Sequence, residues 1–309
     1  MTPTTKPHVS PYLALAAGIL AVSFGSILAR LAQDQSVPSL VIAAYRTLVA
    51  TLILLPFMLR NQRAEIGALK PAHWRLALLA GAALAVHFAT WITSLAYTSV
   101  TASTVLVSTS PLWVALAAPF FLGEPFTRPL KIGMSLALAG TLIISMATML
   151  RLDDGGLVFN VTDLATGQQP VLGNFLALLG ALGGAVYILI GRKLRVGLSL
   201  TSYATLVYGT AAVCLLVAVW LTGSSMLGYS PEVYVLFILM GVVPQLIGHS
   251  SFNYALGYLP AAFVGVSIFA EPIGASILAL VIFSERPGPM VIVGSVFVLA
   301  GVLVSSRKA

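Results

Sequence analysis

Charge is what this sequence lacks. Only 8% of its 309 residues are charged, against 59% hydrophobic. A soluble domain carries roughly 25% charged residues, so too little is present to cover a water-facing surface, and a soluble fold is excluded. Cysteine is nearly absent. The single Cys214 cannot form an intrachain disulfide, and it lies in an apolar run without the neighbours of a metal or redox motif. No Gly-x-x-x-x-Gly-Lys-Ser/Thr loop occurs, which excludes ATP hydrolysis at a P-loop. Acidic residues are scarce relative to basic ones, 9 against 16, for a net charge of +7. That excess does not point to nucleic acid, because the basic residues sit in short loops beside apolar stretches, as in the cytoplasmic loops of membrane proteins.

What is present is apolar sequence in lengths that fit a bilayer, which takes about 20 residues per helix. Ten spans are expected near residues 11–29, 40–59, 74–97, 100–122, 130–149, 173–191, 201–221, 233–256, 260–283 and 289–305. The first run is taken as a retained span, being long for a cleaved leader. One long polar loop, roughly 150–172, is expected to be extended or hairpin-like. Twelve basic residues fall on the side of the N-terminus: Lys6, Arg60, Arg63, Lys70, Arg75, Arg128, Lys131, Arg192, Lys193, Arg195, Arg307 and Lys308. Arg30, Arg151 and Arg286 fall on the other, and Arg46 lies within the second span. The asymmetry predicts that both termini are cytoplasmic.

The chain also repeats. Pro111, Glu124, Gly133, Ala139 and Gly140 recur 161 residues later as Pro272, Glu285, Gly294, Ala300 and Gly301. Gly18, Arg30 and His87 recur 162 residues later as Gly180, Arg192 and His249. The expectation is therefore an all-α integral membrane protein of ten helices in two five-helix repeats, residues 1–150 and 173–309, joined by an extracytoplasmic loop at 151–172. An odd number of spans per copy inverts the second copy in the membrane, and inverted repeats are a transporter signature with the site near the midplane.

Several polar residues stand out inside the spans. Glu271 is the carboxylate well inside one, and such a charge is expected to face a cavity or a partner. It is a candidate proton carrier or coupling group; the alternative is a structural hydrogen bond. Gln245, His249 and Asn253 are spaced i, i+4, i+8 on span 8, with Phe252 beside them. His87, Trp91, Ser94 and Thr98 form a similar stripe on span 3. With Tyr187 from span 6 these are the candidate cavity wall. The alternative is hydrogen bonding between helices. Each histidine lacks a nearby second ligand, so no metal is expected. Arg46 is expected to snorkel to the outer interface, or else to partner Glu271. Glu124 and Glu285 close spans 4 and 9, expected either to pair locally with Arg128 and Arg286 or to act as gates. Pro111 and Pro272 are candidate hinges. Gly133 and Gly140 on span 5, and Gly294 and Gly301 on span 10, suggest close packing or a homodimer through either helix; otherwise a monomer is expected.

The run His87-Phe-Ala-Thr-Trp91, then Leu95-Ala-Tyr97-Thr-Ser-Val, Ser110-Pro111-Leu and Leu122-Gly123-Glu124, resembles the drug/metabolite transporter superfamily, and within it the EamA-type permeases. The second copy keeps Glu271-Pro272, Ser284-Glu285 and Ala300-Gly301. The resemblance implies a central cavity lined by spans 1, 3, 4, 6, 8 and 9. It also implies transport of small metabolites without a cofactor and without catalysis. Within that family the sequence is similar to bacterial aromatic amino-acid exporters. The expectation is thus a multi-pass inner-membrane exporter of aromatic or other apolar amino acids. Import or exchange of another metabolite class, an intramembrane enzyme and a channel are the alternatives.

Overall fold

A computed structural model describes residues 7–98, 100–147, 150–153, 156–159, 168–283 and 288–307. Glu285, Arg286, Asp163, Lys6 and Lys308 lie outside the described residues. Ten helical segments run through the described chain, and nine of the described helices are long and apolar enough to cross a membrane, all but Arg128–Ala147. We label them α1 (Pro11–Val22 and Gly25–Asp34), α2 (Ser39–Asn61), α3 (Pro71–Tyr97), α4 (Val100–Val107 and Ser110–Phe121) and α5 (Arg128–Ala147). The second half holds α6 (Pro170–Arg195), α7 (Leu200–Leu221), α8 (Pro231–Leu256), α9 (Ala261–Ile268 and Glu271–Phe283) and α10 (Pro289–Ser306). A one-turn helix, Arg63–Gly67, sits between α2 and α3. The long loop contributes a short antiparallel hairpin, Leu150–Asp153 against Gly156–Phe159.

Local chemistry sets these boundaries. Proline occupies the first helical position of α1, α3, α6, α8 and α10, where its missing N–H costs nothing and its fixed φ suits the helix. Buried serines and threonines return their hydroxyls to the carbonyl four residues back, as Thr141 does to Ala137 at 3.0 Å and Ser267 to Phe263 at 3.0 Å. These hydroxyl donors are then not left bare toward hydrocarbon. Phe120, Phe121, Val171 and Trp220 are exposed on the outside of the bundle, where lipid takes the place of water as solvent.

The repeat is visible in the packing. Helices α5 and α10, mates in the repeat, run antiparallel along each other. A Cβ on Gly140 would stand 2.5 Å from the Gly294 carbonyl oxygen, and one on Gly294 2.6 Å from that of Gly140. Gly133 and Gly301 meet in the same way one end further on. The other pairings exchange as well. Gly180 of α6 lies against Thr90 and Trp91 of α3, while its mate Gly18 of α1 lies against Ser251 and Phe252 of α8. The two copies are inverted. The glycine faces on which a homodimer was expected are covered by each other within one chain.

Three helices are interrupted at mid-length. α4 breaks at Ser108 and Thr109, and α9 at Phe269 and Ala270, positions that correspond exactly in register across the 161-residue offset. Pro111 and Pro272 then occupy the first turn of each second segment, just after the two-residue interruption. α1 breaks at Ser23 and Phe24, and the Ser23 hydroxyl donates to Ile19 O at 2.7 Å and Glu271 O at 2.9 Å. Within α8, Gly241–His249 is a π-helix containing Pro244. Proline has no N–H to donate, and a wider turn accommodates that gap.

Candidate functional site

The breaks and the π-helical turn surround one cavity. Its wall includes Val22 of α1, Arg46 of α2, His87 and Trp91 of α3, Ser108 and Ser110 of α4, Gly184 and Tyr187 of α6, His249 and Phe252 of α8, and Glu271 of α9. The cavity volume is about 80 Å³. Since one water needs roughly 10–15 Å³, this is room for several waters, and a larger solute requires the helices to part.

Each polar group is aimed by its backbone. Glu271 is the first residue of the second segment of α9, so its carboxylate sits at a helix N-terminus, which favours negative charge. His87 Nδ1 lies 2.7 Å from Gly180 O, an acceptor, so Nδ1 carries the proton and Nε2 is left for the cavity side. His249, the repeat mate of His87, faces it with ring centroids 6.4 Å apart. Among buried neighbours, His87, His249 and Glu271 keep partial exposure, as groups facing an accessible cavity do. Phe88, Trp91, Tyr187 and Phe252 surround the histidines with ring contacts.

Arg46 departs from the sequence expectation. It is 1% exposed and does not reach the outer interface. Its Nε donates to Gln245 Oε1 at 2.8 Å, and its Cζ stands 4.1 Å from the centre of the Phe88 ring and 5.9 Å from that of Trp91. Snorkelling fails because α2 turns this residue toward α3 and α8, where an amide oxygen and aromatic faces receive the guanidinium. Arg46 and Glu271 make no contact within 4.0 Å, but each acts on the other's charge across the cavity they share. Among the described residues the ion pairs within 4.0 Å are Arg30–Asp34 and Arg192–Glu124.

The structure brings His87, Trp91, Tyr187, His249, Phe252 and Glu271 onto the wall, together with Arg46. Gln245, Ser94 and Asn253 are fully buried behind it. Ser94 bonds Trp91 O and Ser103 Oγ, each at 2.6 Å. Asn253 accepts from Tyr187 at 2.6 Å and donates to Tyr208 at 3.0 Å. The i, i+4, i+8 spacing assumed 3.6 residues per turn, and the π-helical stretch breaks that register, so His249 faces the cavity while Gln245 and Asn253 support it. Ser108, Ser110 and Gly184 were not singled out as wall residues. The signal for Ser110 was its position as the mate of Glu271.

At the end that carries both termini, Glu124 joins three helices. It accepts from Arg192 Nε of α6 at 2.7 Å and from the Ala261 N–H of α9 at 2.8 Å. Arg192 also donates to Leu256 O of α8 at 2.9 Å. The expected local partner, Arg128, is not the one used: α6 and α9 end beside Glu124 and supply closer donors.

Comparison with known proteins fits this geometry. The model of the EamA-like transporter family matches twice, over residues 9–146 and 171–307. The chain belongs to the EamA-like transporter family. The two matches bracket the 150–172 loop, as the repeat does. An uncharacterised transporter of Archaeoglobus fulgidus is 24% identical over 86% of this chain and 87% of its own length. A Bacillus subtilis protein, uncharacterised transporter YetK, is 22% identical over 98% of this chain and 88% of its own. A Streptantibioticus cattleyicolor protein named "Probable terminal-alkyne amino-acid exporter" is 25% identical over 67% of this chain and 64% of its own. A solved crystal structure superposes with a TM-score of 0.75 over 96% of each chain at 17% identity, which shows the fold. This EamA-family chain is a membrane transporter, and transport, not catalysis, is its activity.

Proposed function

We propose that this transporter exports amino acids with apolar, above all aromatic, side chains across a bacterial inner membrane by alternating access. The observation that carries the proposal is the make-up of the cavity wall. It combines Trp91, Tyr187 and Phe252 with one guanidinium, Arg46, and one carboxylate, Glu271, which face the same cavity without a contact within 4.0 Å. A zwitterion with a ring matches that wall: the charges offer ends to its carboxylate and ammonium, and the aromatic faces offer a surface to its side chain. Sugar phosphates call for clustered cations, and the wall holds a single arginine. The amino-acid exporter named among the relatives supports the same class.

The 150–172 loop lies outside the cell and both termini inside, on the charge asymmetry of the loops. Rocking of residues 1–150 against 173–309 about the breaks in α1, α4 and α9 exposes the cavity to one side and then the other. The Glu124–Arg192 contact closes the cytoplasmic end in the present conformation, and Glu285 is its counterpart at the outer end.

Purified protein in liposomes tests the substrate class. Saturable counterflow of labelled phenylalanine or tryptophan is expected, with weaker flux of threonine. Transport of a labelled sugar phosphate with none of the amino acids contradicts the proposal.

A further inference from the structure

Three donors behind and beside the cavity have no acceptor among the described residues: Arg46 Nη1, Trp91 Nε1 and Gln245 Nε2. Each belongs to a side chain at most 6% exposed. Arg46 links the three side chains: its Nε donates to Gln245 Oε1 at 2.8 Å, and its Cζ stands 5.9 Å from the centre of the Trp91 ring. The amide of Gln245 has a fixed sense. Arg46 can only donate, so Oε1 must face it, and the amide N–H₂ is left over. Buried donors are almost always paired in folded proteins, so three in one corner need an explanation. All three are donors, one is charged, and two of the residues line the cavity.

We infer that this corner is a carboxylate subsite, and that Glu271 receives the opposite, cationic end of the same solute. The inference deepens the amino-acid reading above and rests on it for the identity of that solute. Arginine presents a planar fork of donors matched to a carboxylate, and the indole and amide N–H groups add two more. Arg46 and Glu271 face one cavity with no contact within 4.0 Å, so a solute that lies between them can meet both charges.

The test uses two half-ligands of phenylalanine: 3-phenylpropionate, which keeps the carboxylate, and phenethylamine, which keeps the ammonium. Their affinities for purified full-length protein are measured by thermal shift and by inhibition of counterflow. Arg46→Gln is expected to weaken 3-phenylpropionate by about tenfold or more, and phenethylamine by less than about threefold. Trp91→Phe keeps the ring and loses the N–H; it should weaken the acid selectively and by less. Glu271→Gln should show the reverse selectivity. Equal weakening of both half-ligands in Arg46→Gln, or unchanged affinity for the acid, overturns the inference. Should Arg46→Gln not fold, Trp91→Phe decides by the same criterion. Displacement of the acid by chloride as effectively as by phenylalanine also overturns it, since that is an inorganic-anion site. The two claims fail separately. Arg46-dependent binding of the acid without amino-acid flux leaves the subsite standing and removes the amino-acid reading. Amino-acid flux with no selective loss of the acid does the opposite.

Discussion

Arg46 and Tyr208 stand 162 residues apart, at the same place in the two halves, and make the same set of contacts with opposite chemistry. Arg46 lies over Phe88 and Trp91 beside Gly25. Tyr208 meets their mates, Ser250 at 3.1 Å and Asn253 at 3.0 Å, and Asn253 in turn accepts from Tyr187, the mate of Gly25, at 2.6 Å. On the tyrosine side each of these polar groups has a partner. On the arginine side three donors are left over. Gln245, whose mate is Ala83, has no counterpart on the other side at all. The scaffold is therefore symmetric and the chemistry is not. In the function proposed above, symmetry supplies two interchangeable halves for alternating access, and the residues that differ between mates supply recognition.

The comparison is sharpened most by making mates alike. Glu271→Ser gives α9 the residue that α4 carries at its own break, Ser110, whose hydroxyl bonds Ala181 O and Val107 O, each at 2.9 Å. The variant should fold, because a serine already starts a stable segment there. Flux should fall by about a hundredfold, the upper range for a lost charge-assisted contact. Counterflow in liposomes reads the loss, and wild-type flux in a folded Glu271→Ser would break the comparison. Next in size is Glu124→Gln. Removing the charge that joins α4, α6 and α9 should raise thiol labelling of a cysteine at Ser108 from the side of the termini by about tenfold, on the worth of a part-buried charged hydrogen bond. An unchanged rate would make that contact structural only.

Smaller effects are expected on the satisfied side. Tyr208→Phe leaves Asn253 and Ser250 short of a partner and should cost about 1–3 kcal/mol of stability. Thermal unfolding measures it, and the KM for phenylalanine should move less than about twofold. A selective KM change with no stability loss would mean that both corners bind substrate. Ser94→Ala should do least: its hydroxyl serves Ser103 and Trp91 O behind the wall, so flux should stay within about twofold while stability falls by about 1 kcal/mol.

The fold was largely legible in the sequence because lipid imposes simple rules. Low charge and apolar runs of about 20 residues mark spans, and the fixed offsets of Pro111, Glu124 and Gly140 mark the repeat. Even the helix breaks were signalled, by Pro111 and Pro272. Residues of the cavity wall were legible where a polar or aromatic group is isolated in an apolar span, as with His87, Trp91 and Glu271. Two kinds of information were not local. The position of Arg46 depends on Gln245, 199 residues away, and on Phe88, so depth along α2 alone suggested the interface. The facing of Gln245 and Asn253 depends on the π-helical turn, which changes the angle per residue in a way a spacing rule cannot carry. The glycine pairs suggested a surface for a second copy, but the surface they fit is the repeat mate in the same chain.

The central claim is that solute occupies the cavity where the asymmetric mates meet. Substrate protection tests it most directly. Ser108 lines the cavity, and Ser225 is exposed in the loop after α7, away from it. Each is changed to cysteine in a Cys214→Ser background, and the rate of thiol alkylation is followed with and without saturating phenylalanine. The account predicts that phenylalanine slows alkylation at Ser108→Cys by about tenfold and leaves Ser225→Cys unchanged, since a bound solute excludes the reagent from the space it fills. Equal rates with and without phenylalanine at Ser108→Cys, in protein that transports phenylalanine, would contradict it.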